Sequence, residues 1–515
     1  MSYLIGIDVG TSGTKTVLFD ETGEARASAT MEYPLYQPKN GWAEQDPHDW
    51  WNAVCKTVPD VIRKSGVQAA EIKGVGLSGQ MHGLVMLTKD GEVIRNSIIW
   101  CDGRTGDECA YITKTIGKER LVELSANPAL TGFTAGKILW VRNNEPQNYE
   151  RCAHILLPKD YIRYMLTGEF ATEVSDASGM NLMDIPARTW SDEILNKLEI
   201  DQSMLGMLYE SCEVTGAITG EAAKLTGLQP GTPVVGGAGD NAAAAVGTGV
   251  VKQGKAFITI GTSGVIFAHS ERVAIDPEGR VHTFCAAVPG AWTVMSCTLA
   301  AGLSLKWYRD HFCKAEMEAA EGMGVDSYLL LNEQIARVPI GADKLIFAPY
   351  LMGERSPILD ENARGVFLGL SARHTKYNLL RAVMEGVTFS QKECYNILCG
   401  MGVPFSEMLA TGGGGKSPLW RQMIADVCGC NVTTLKTQEG PALGAAILAG
   451  VGAGVYGSVQ QGCEAVIRTD TMQKPIAENS VEYEKYYRIY KEIYPGLKEQ
   501  FRALAEMEGT GTLNH

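Results

Sequence analysis

The chain has 515 residues, 45% hydrophobic and 20% charged, with 58 glycines; this excludes a disordered or fibrous protein and leaves room for two large domains. Acidic residues outnumber basic ones by 59 to 46, a formal charge of −13, which argues against a nucleic-acid backbone or an anionic membrane surface as partner. No basic leader or bilayer-length apolar run is read, and the thirteen cysteines lie mostly inside apolar segments as expected buried thiols, so the chain is expected in the cytoplasm.

The first residues, to about position 35, predict three strands, with a turn at Glu21-Thr22-Gly23 between the second and third. Between the first two, Asp8 runs into the small-residue turn Gly10, Thr11, Ser12, Gly13, with Lys15 just beyond. Glycines leave backbone N–H groups open and two hydroxyls add donors, which suits a terminal phosphate, with Asp8 facing the accompanying metal. Asp46-Pro47 is a cap and first-turn pair that opens an amphipathic helix to about Lys64. A short strand over Ile72–Gly79 and a hairpin over Leu84–Arg95 follow, and helical periodicity resumes at Thr105. Thr232–Gly239 predicts a strand that leads into a helix starting at Asp240-Asn241. From Gly254 the opening pattern repeats as strand, the turn Gly261-Thr262-Ser263-Gly264, and strand; further strands run to Met295 and a helix starts near Leu299. Ser406–Arg421 reads as strand, four-glycine loop and helix, and Pro441–Gly450 as a small-residue helix suited to packing beside a ligand. The two turns make the chain look duplicated around one nucleotide, with a boundary near residues 247 to 255 and a packed hinge instead of a linker.

Three patterns are rejected. Gly74-Val-Gly76-Leu-Ser-Gly79 spells a dinucleotide fingerprint but precedes a hairpin where that site needs a helix. Gly415-Lys416-Ser417 ends like a P-loop, yet Ala410 stands where its first glycine belongs. Cys428-Gly429-Cys430 is too tight for a zinc pair.

Taken in order, these segments resemble the FGGY family of carbohydrate kinases over nearly the whole length, most of all its members that act on D-xylulose. Gly132-Phe133-Thr134 through Asn144 is similar to the family's first signature, and Gly365 to Leu370 with Asn378 to Glu385 is similar to its second. The resemblance implies an α/β protein of two actin-like, ribonuclease-H-like domains flanking a central cleft. Residues 1–250 would bind the sugar and carry the first phosphate loop, and residues 251–515 would bind ATP. The implied activity is ATP-dependent phosphorylation of D-xylulose to its 5-phosphate, with ATP and Mg2+ required. Ribulose, gluconate or glycerol are alternative acceptors, and a non-catalytic sugar or nucleotide sensor is the reading from another class. No nucleic acid or membrane is implied as partner, and a homodimer is left open.

Phosphoryl transfer to a hydroxyl needs positioning, charge neutralisation and a carboxylate to take the proton. Asp240, after the open approach Gly236-Gly237-Ala238-Gly239, is the expected base, and the resemblance adds it and Asp8 as the residues that engage the metal. By the same resemblance Met81, His82, Trp100, Asp102, Arg104, Asp240 and Asn241 face the sugar; Asp102 and Arg104 are read equally as a structural ion pair. ATP is assigned to Thr11, Ser12, Gly13, Lys15, Gly261, Thr262 and Ser263, with Gly412, Gly413, Gly414 and Gly415 beside its adenosine.

Overall fold

A computed structural model describes residues 1–436 and 439–507 of the chain. They form two units, one made of Met1–Gln253, His269–Val294 and Lys436–Arg468, the other of Gly254–Ala268, Met295–Leu435 and the segment from Thr469 onward. Segments 269–294 and 436–468 of the second half of the sequence thus cluster with the first unit. No described helix is long and apolar enough to cross a membrane.

The first unit is built on a mixed sheet in which Tyr3–Val9 lies between its antiparallel neighbour Gly13–Asp20 and the parallel strand Ile72–Gly79. Ala25–Glu32 continues the sheet on one side, and Pro233–Val235 and Val214–Ala217 on the other. The central strands are apolar almost throughout, Ile5, Ile7 and Val9 being fully buried, because both faces are covered. One cover is the helix Pro47–Ser65, which starts as its sequence dictates: the Asp46 carboxylate accepts from the His48 N–H and Pro47 occupies the first turn.

The other cover is the helix Gly440–Gly452. Its small residues pack against the sheet of the first unit and a neighbouring helix, Asp240–Gly247. A methyl group at Gly6 or Gly76 would lie 1.9 Å from the carbonyl oxygens of Ala442 and Ala445, and one at Gly444 would lie 1.8 Å from that of Ala243. Of the false dinucleotide fingerprint, Gly74 and Gly76 therefore let this helix touch a strand backbone to backbone, while Gly79 faces Lys159.

The expected hairpin over Leu84–Arg95 forms as a short one: the Thr88 N–H donates to the Glu92 carbonyl and, across the two arms, the Ile94 N–H to the Met86 carbonyl. Val85–Leu87 pairs also with His154–Leu156, and the returning arm makes a single bridge, Leu87 to Val93. The partner strand is too far along the chain for a local pattern to reveal.

In the second unit Gly254–Ile260 pairs antiparallel with Gly264–Ser270 and parallel with Phe405–Thr411, which in turn runs parallel to Asn431–Leu435. The turn joining the first two is held from behind: the N–H groups of Ala301 and Leu303 donate to the Thr262 carbonyl, and that of Gly302 donates to the Gly261 carbonyl. This sets the helix start at Gly302, three residues after the expected Leu299, whose N–H is taken by the Glu354 carboxylate. Cys428-Gly429-Cys430 is a helix end, with Gly429 as left-handed cap.

Candidate active site

In the first unit, three parallel strands end side by side, the arrangement in which open α/β sheets carry ligands. Register pairs Asp8 with Ser78, and Gly79 with Gly239, so Asp8 and the residue that follows Gly239, Asp240, come to the same sheet edge. The Ser78 hydroxyl donates to Asp8 Oδ1 at 2.8 Å. Asp240 is the first residue of the helix Asp240–Gly247, and its Oδ1 accepts from the Asn241 N–H at 2.7 Å and the Asn241 side-chain amide at 3.1 Å. Burial raises the Asp8 carboxyl above its ordinary value, against the opposing Ser78 hydrogen bond and the Lys15 charge. Asp240 is pushed up to about 7, first by burial and then by the negative charge of Asp8. Two desolvated carboxylates that repel each other are a fitting place for a hard cation that keeps several waters and takes one or two carboxylates. Among the described residues no denser group of three metal-ligating side chains occurs.

The turn after Asp8 is closed by the Gly10 N–H donating to the Gly13 carbonyl at 3.1 Å. Ser12 is exposed, whereas the Thr11 hydroxyl accepts the indole N–H of Trp100 at 2.9 Å, so a residue read as sugar wall is tied to the turn read as a phosphate loop. Lys15 pairs with Glu439 at 2.5 Å. Gln45 and Gln80, two side chains the sequence reading missed, brace the turn: Gln45 Nε2 donates to the Thr11 carbonyl and Gln80 Nε2 to Gln45 Oε1, both at 2.7 Å.

Next to Asp240, Met81 packs against Gly239, where an added methyl would lie 2.8 Å from its Cγ. His82 has left-handed backbone, φ 69°, and its ring stacks on Phe133 with centroids 4.5 Å apart. Its Nδ1 lies 2.8 Å from the Gly179 carbonyl, which can only accept, so Nδ1 bears a proton. His282 and Phe284, from the 269–294 excursion, extend this aromatic group, and His282 Nδ1 meets Asn127 Oδ1 at 2.9 Å. Nothing short-range in the sequence links them to His82; only Phe133, inside the first signature, carried a signal.

Asp102 and Arg104 form an ion pair with each other. The Asp102 carboxylate accepts from the Arg104 backbone and guanidinium at 2.7 to 2.9 Å and from the Ala43 N–H at 2.6 Å. The Arg104 side chain is buried, pairs with Glu44 at 2.8 Å and lies 3.7 Å over the Trp42 ring.

The second unit brings its two predicted elements together independently. Thr259 and Thr411 are register partners at the ends of parallel strands, with hydroxyls 2.7 Å apart, so the turn Gly261-Thr262-Ser263 and the glycines 412–415 emerge side by side. Gly412–Gly415 forms one helical turn; Gly412 needs φ 76°, and a methyl at Gly414 would strike Ile260 at 2.4 Å. Gly413 alone of the four has open space where a side chain would project.

Residues 3–247 match the N-terminal domain, and residues 256–453 the C-terminal domain, of the FGGY family of carbohydrate kinases. The xylulose kinase of Bacillus subtilis (strain 168) is 39% identical, across 98% of this chain and 99% of its own. The gluconokinase of the same organism is 30% identical, across 100% and 99%. The crystal structure of xylulose kinase from Rhodospirillum rubrum has the same fold, with a TM-score of 0.90 at 30% identity, covering 97% of this chain and 100% of that one. Two matched domains in order, on a mixed sheet in each unit, assign the chain: it belongs to the FGGY family of carbohydrate kinases.

Proposed function

We propose that the chain transfers the γ-phosphoryl group of ATP to the terminal hydroxyl of D-xylulose, with Asp240 as general base. The observation that carries this reading is Asp240 itself, at a helix start and a sheet edge, with a proton affinity raised to about 7 by burial and by Asp8. A carboxylate so tuned accepts a proton near neutral pH far better than a solvated one. In the reaction the sugar O–H gives its proton to the Asp240 carboxylate, its oxygen bonds to the γ-phosphorus, and the bond from that phosphorus to the ADP oxygen breaks. Asp8 and Asp240 would hold Mg2+, which when bound neutralises charge on the transferring phosphoryl group. Ser78 keeps Asp8 oriented, and Asn241 does the same for Asp240. The turn Gly10–Gly13 and the turn Gly261–Ser263 are assigned to phosphates, and Gly412–Gly415 to adenosine. Met81 and His82 are assigned to the sugar, Trp100 to the wall beside it, and Asp102 with Arg104 to the support of that wall. The buried thiols Cys285, Cys313 and Cys394 are unbridged, which fits a reducing cytoplasm.

Preference for D-xylulose follows the full-length likeness to xylulose kinases, while the gluconokinase relative favours gluconate as the second reading. An ADP-release assay across D-xylulose, D-ribulose, gluconate and glycerol separates them. D-xylulose is expected to have the highest kcat/KM. A higher value for gluconate would overturn the acceptor, and no ADP release with any of the four would overturn the kinase.

A further inference from the structure

Two lysines of the first unit, Lys137 and Lys159, are fully buried. Lys159 sits among three carboxylates, Asp160, Glu173 and Asp176, at 2.7 to 3.3 Å. Lys137 has no carboxylate within ion-pair distance among the described residues; its ammonium donates instead to two main-chain carbonyls, those of Gly132 at 2.6 Å and His82 at 2.7 Å. An ammonium removed from water is expensive to hold without a counter-charge, and burial accordingly brings its pKa down to about 7 although Asp102 opposes the shift. A neutral methylene chain would fill the same space at less cost, so what the ammonium does to those carbonyls calls for an explanation.

One of them belongs to a residue in a rare conformation. His82 carries a full side chain at φ 69°, in the left-handed region that favours glycine, between Met81 and Gly83. Its carbonyl receives a second donor, the Thr134 hydroxyl at 3.1 Å. Thr134 and Lys137 both lie in the first turn of the helix Thr134–Asn144, and the residue before it, Phe133, stacks its ring on the imidazole. One short segment therefore holds both ends of His82, the main chain through two hydrogen bonds and the ring through an aromatic face.

We propose that Lys137 is a positioning residue for the acceptor sugar: together with Thr134 it clamps the His82 carbonyl and keeps the imidazole aimed at the sugar hydroxyls. This rests on the assignment of His82 to the sugar, and the test separates the two claims.

The steady-state constants for D-xylulose and ATP would be measured for wild type, His82→Ala, Lys137→Met, Thr134→Val and the double variant His82→Ala/Lys137→Met. Lys137→Met should raise the KM for D-xylulose about tenfold while the KM for ATP moves by less than about twofold, and Thr134→Val should give a rise of the same kind, about threefold. On the His82→Ala background Lys137→Met should add less than about twofold, because the ring it acts through is gone. Additive effects in the double variant, or a parallel rise in the KM for ATP, would overturn the positioning role. If His82→Ala leaves the KM for D-xylulose unchanged, both claims fall; if it raises that KM while Lys137→Met and Thr134→Val do not, only the role of Lys137 falls. Should Lys137→Met not fold, as judged by loss of thermal stabilisation by ATP, Thr134→Val on the two backgrounds decides by the same criteria.

Discussion

Asp240 is held where its charge is unwelcome. Its carboxyl titrates near 7 in the folded chain against 3.8 for the free group, so the folded state binds the extra proton and stability falls as pH rises from about 4 through about 7. Asp240→Asn removes that cost. In chelator-treated, ligand-free protein the variant should be more stable than wild type by about 1–3 kcal/mol at pH 8 and equal to it at pH 4, read from urea unfolding at both values. A gain that does not change with pH would show that the carboxylate is not strained in this way. Asp8 is the second cause of the shift, so in an Asp8→Asn background the gain from Asp240→Asn should shrink. The same substitution removes the proposed proton acceptor: kcat should drop by about 10²–10⁴ with the KM for ATP little changed, and near-normal turnover would remove Asp240 from the role of base.

At the scale of elements, glycine has two different uses that the spacing of the letters does not distinguish. Gly76 lets the helix Gly440–Gly452 rest on a strand, and a methyl there would fall 1.9 Å from a carbonyl oxygen that is itself fixed in a helix. Gly76→Ala should cost about 3 kcal/mol or more, or abolish folding, as seen in thermal unfolding. Gly413 sits in a helical turn with nothing within 4 Å of an added methyl. Gly413→Ala should therefore leave stability unchanged or raise it by about 0.5–1 kcal/mol, while raising the KM for ATP if that turn lies against adenosine. An unchanged KM for ATP would remove the four glycines from the nucleotide site.

Across the whole molecule, the first unit is completed by chain that lies far beyond it in sequence. Leu4, Val17, Phe19 and Val235 share a core with Ala442, Leu443, Ile447, Val459 and Cys463. A fragment of residues 1–253 would expose that core together with the glycine-lined strands, so it should lack a cooperative unfolding transition. Joining residues 436–468 to it through a flexible linker should restore one. A cooperative transition in the short fragment alone would mean that the sheet and the helix Pro47–Ser65 suffice.

Much of this was legible from local chemistry. Asp46-Pro47 starts a helix because a carboxylate and a fixed φ act within one turn, and the strand-turn-strand units around Asp8 and Gly261 are recognised from residues that touch their own neighbours. The motifs around Asp240, His82 and Thr134 likewise carried the family resemblance in short stretches. What only the tertiary structure decided depends on groups distant in sequence: the pairing of Ser78 with Asp8, the indole of Trp100 on Thr11, the partner of Val85–Leu87, and the carbonyls on which Lys137 acts. Hydrogen bonds to such partners and the desolvation that raises Asp240 arise from packing of the whole sheet and its covering helices. No window of sequence contains those neighbours, so the sequence names the candidate residues and the fold sets their proton affinity and aim.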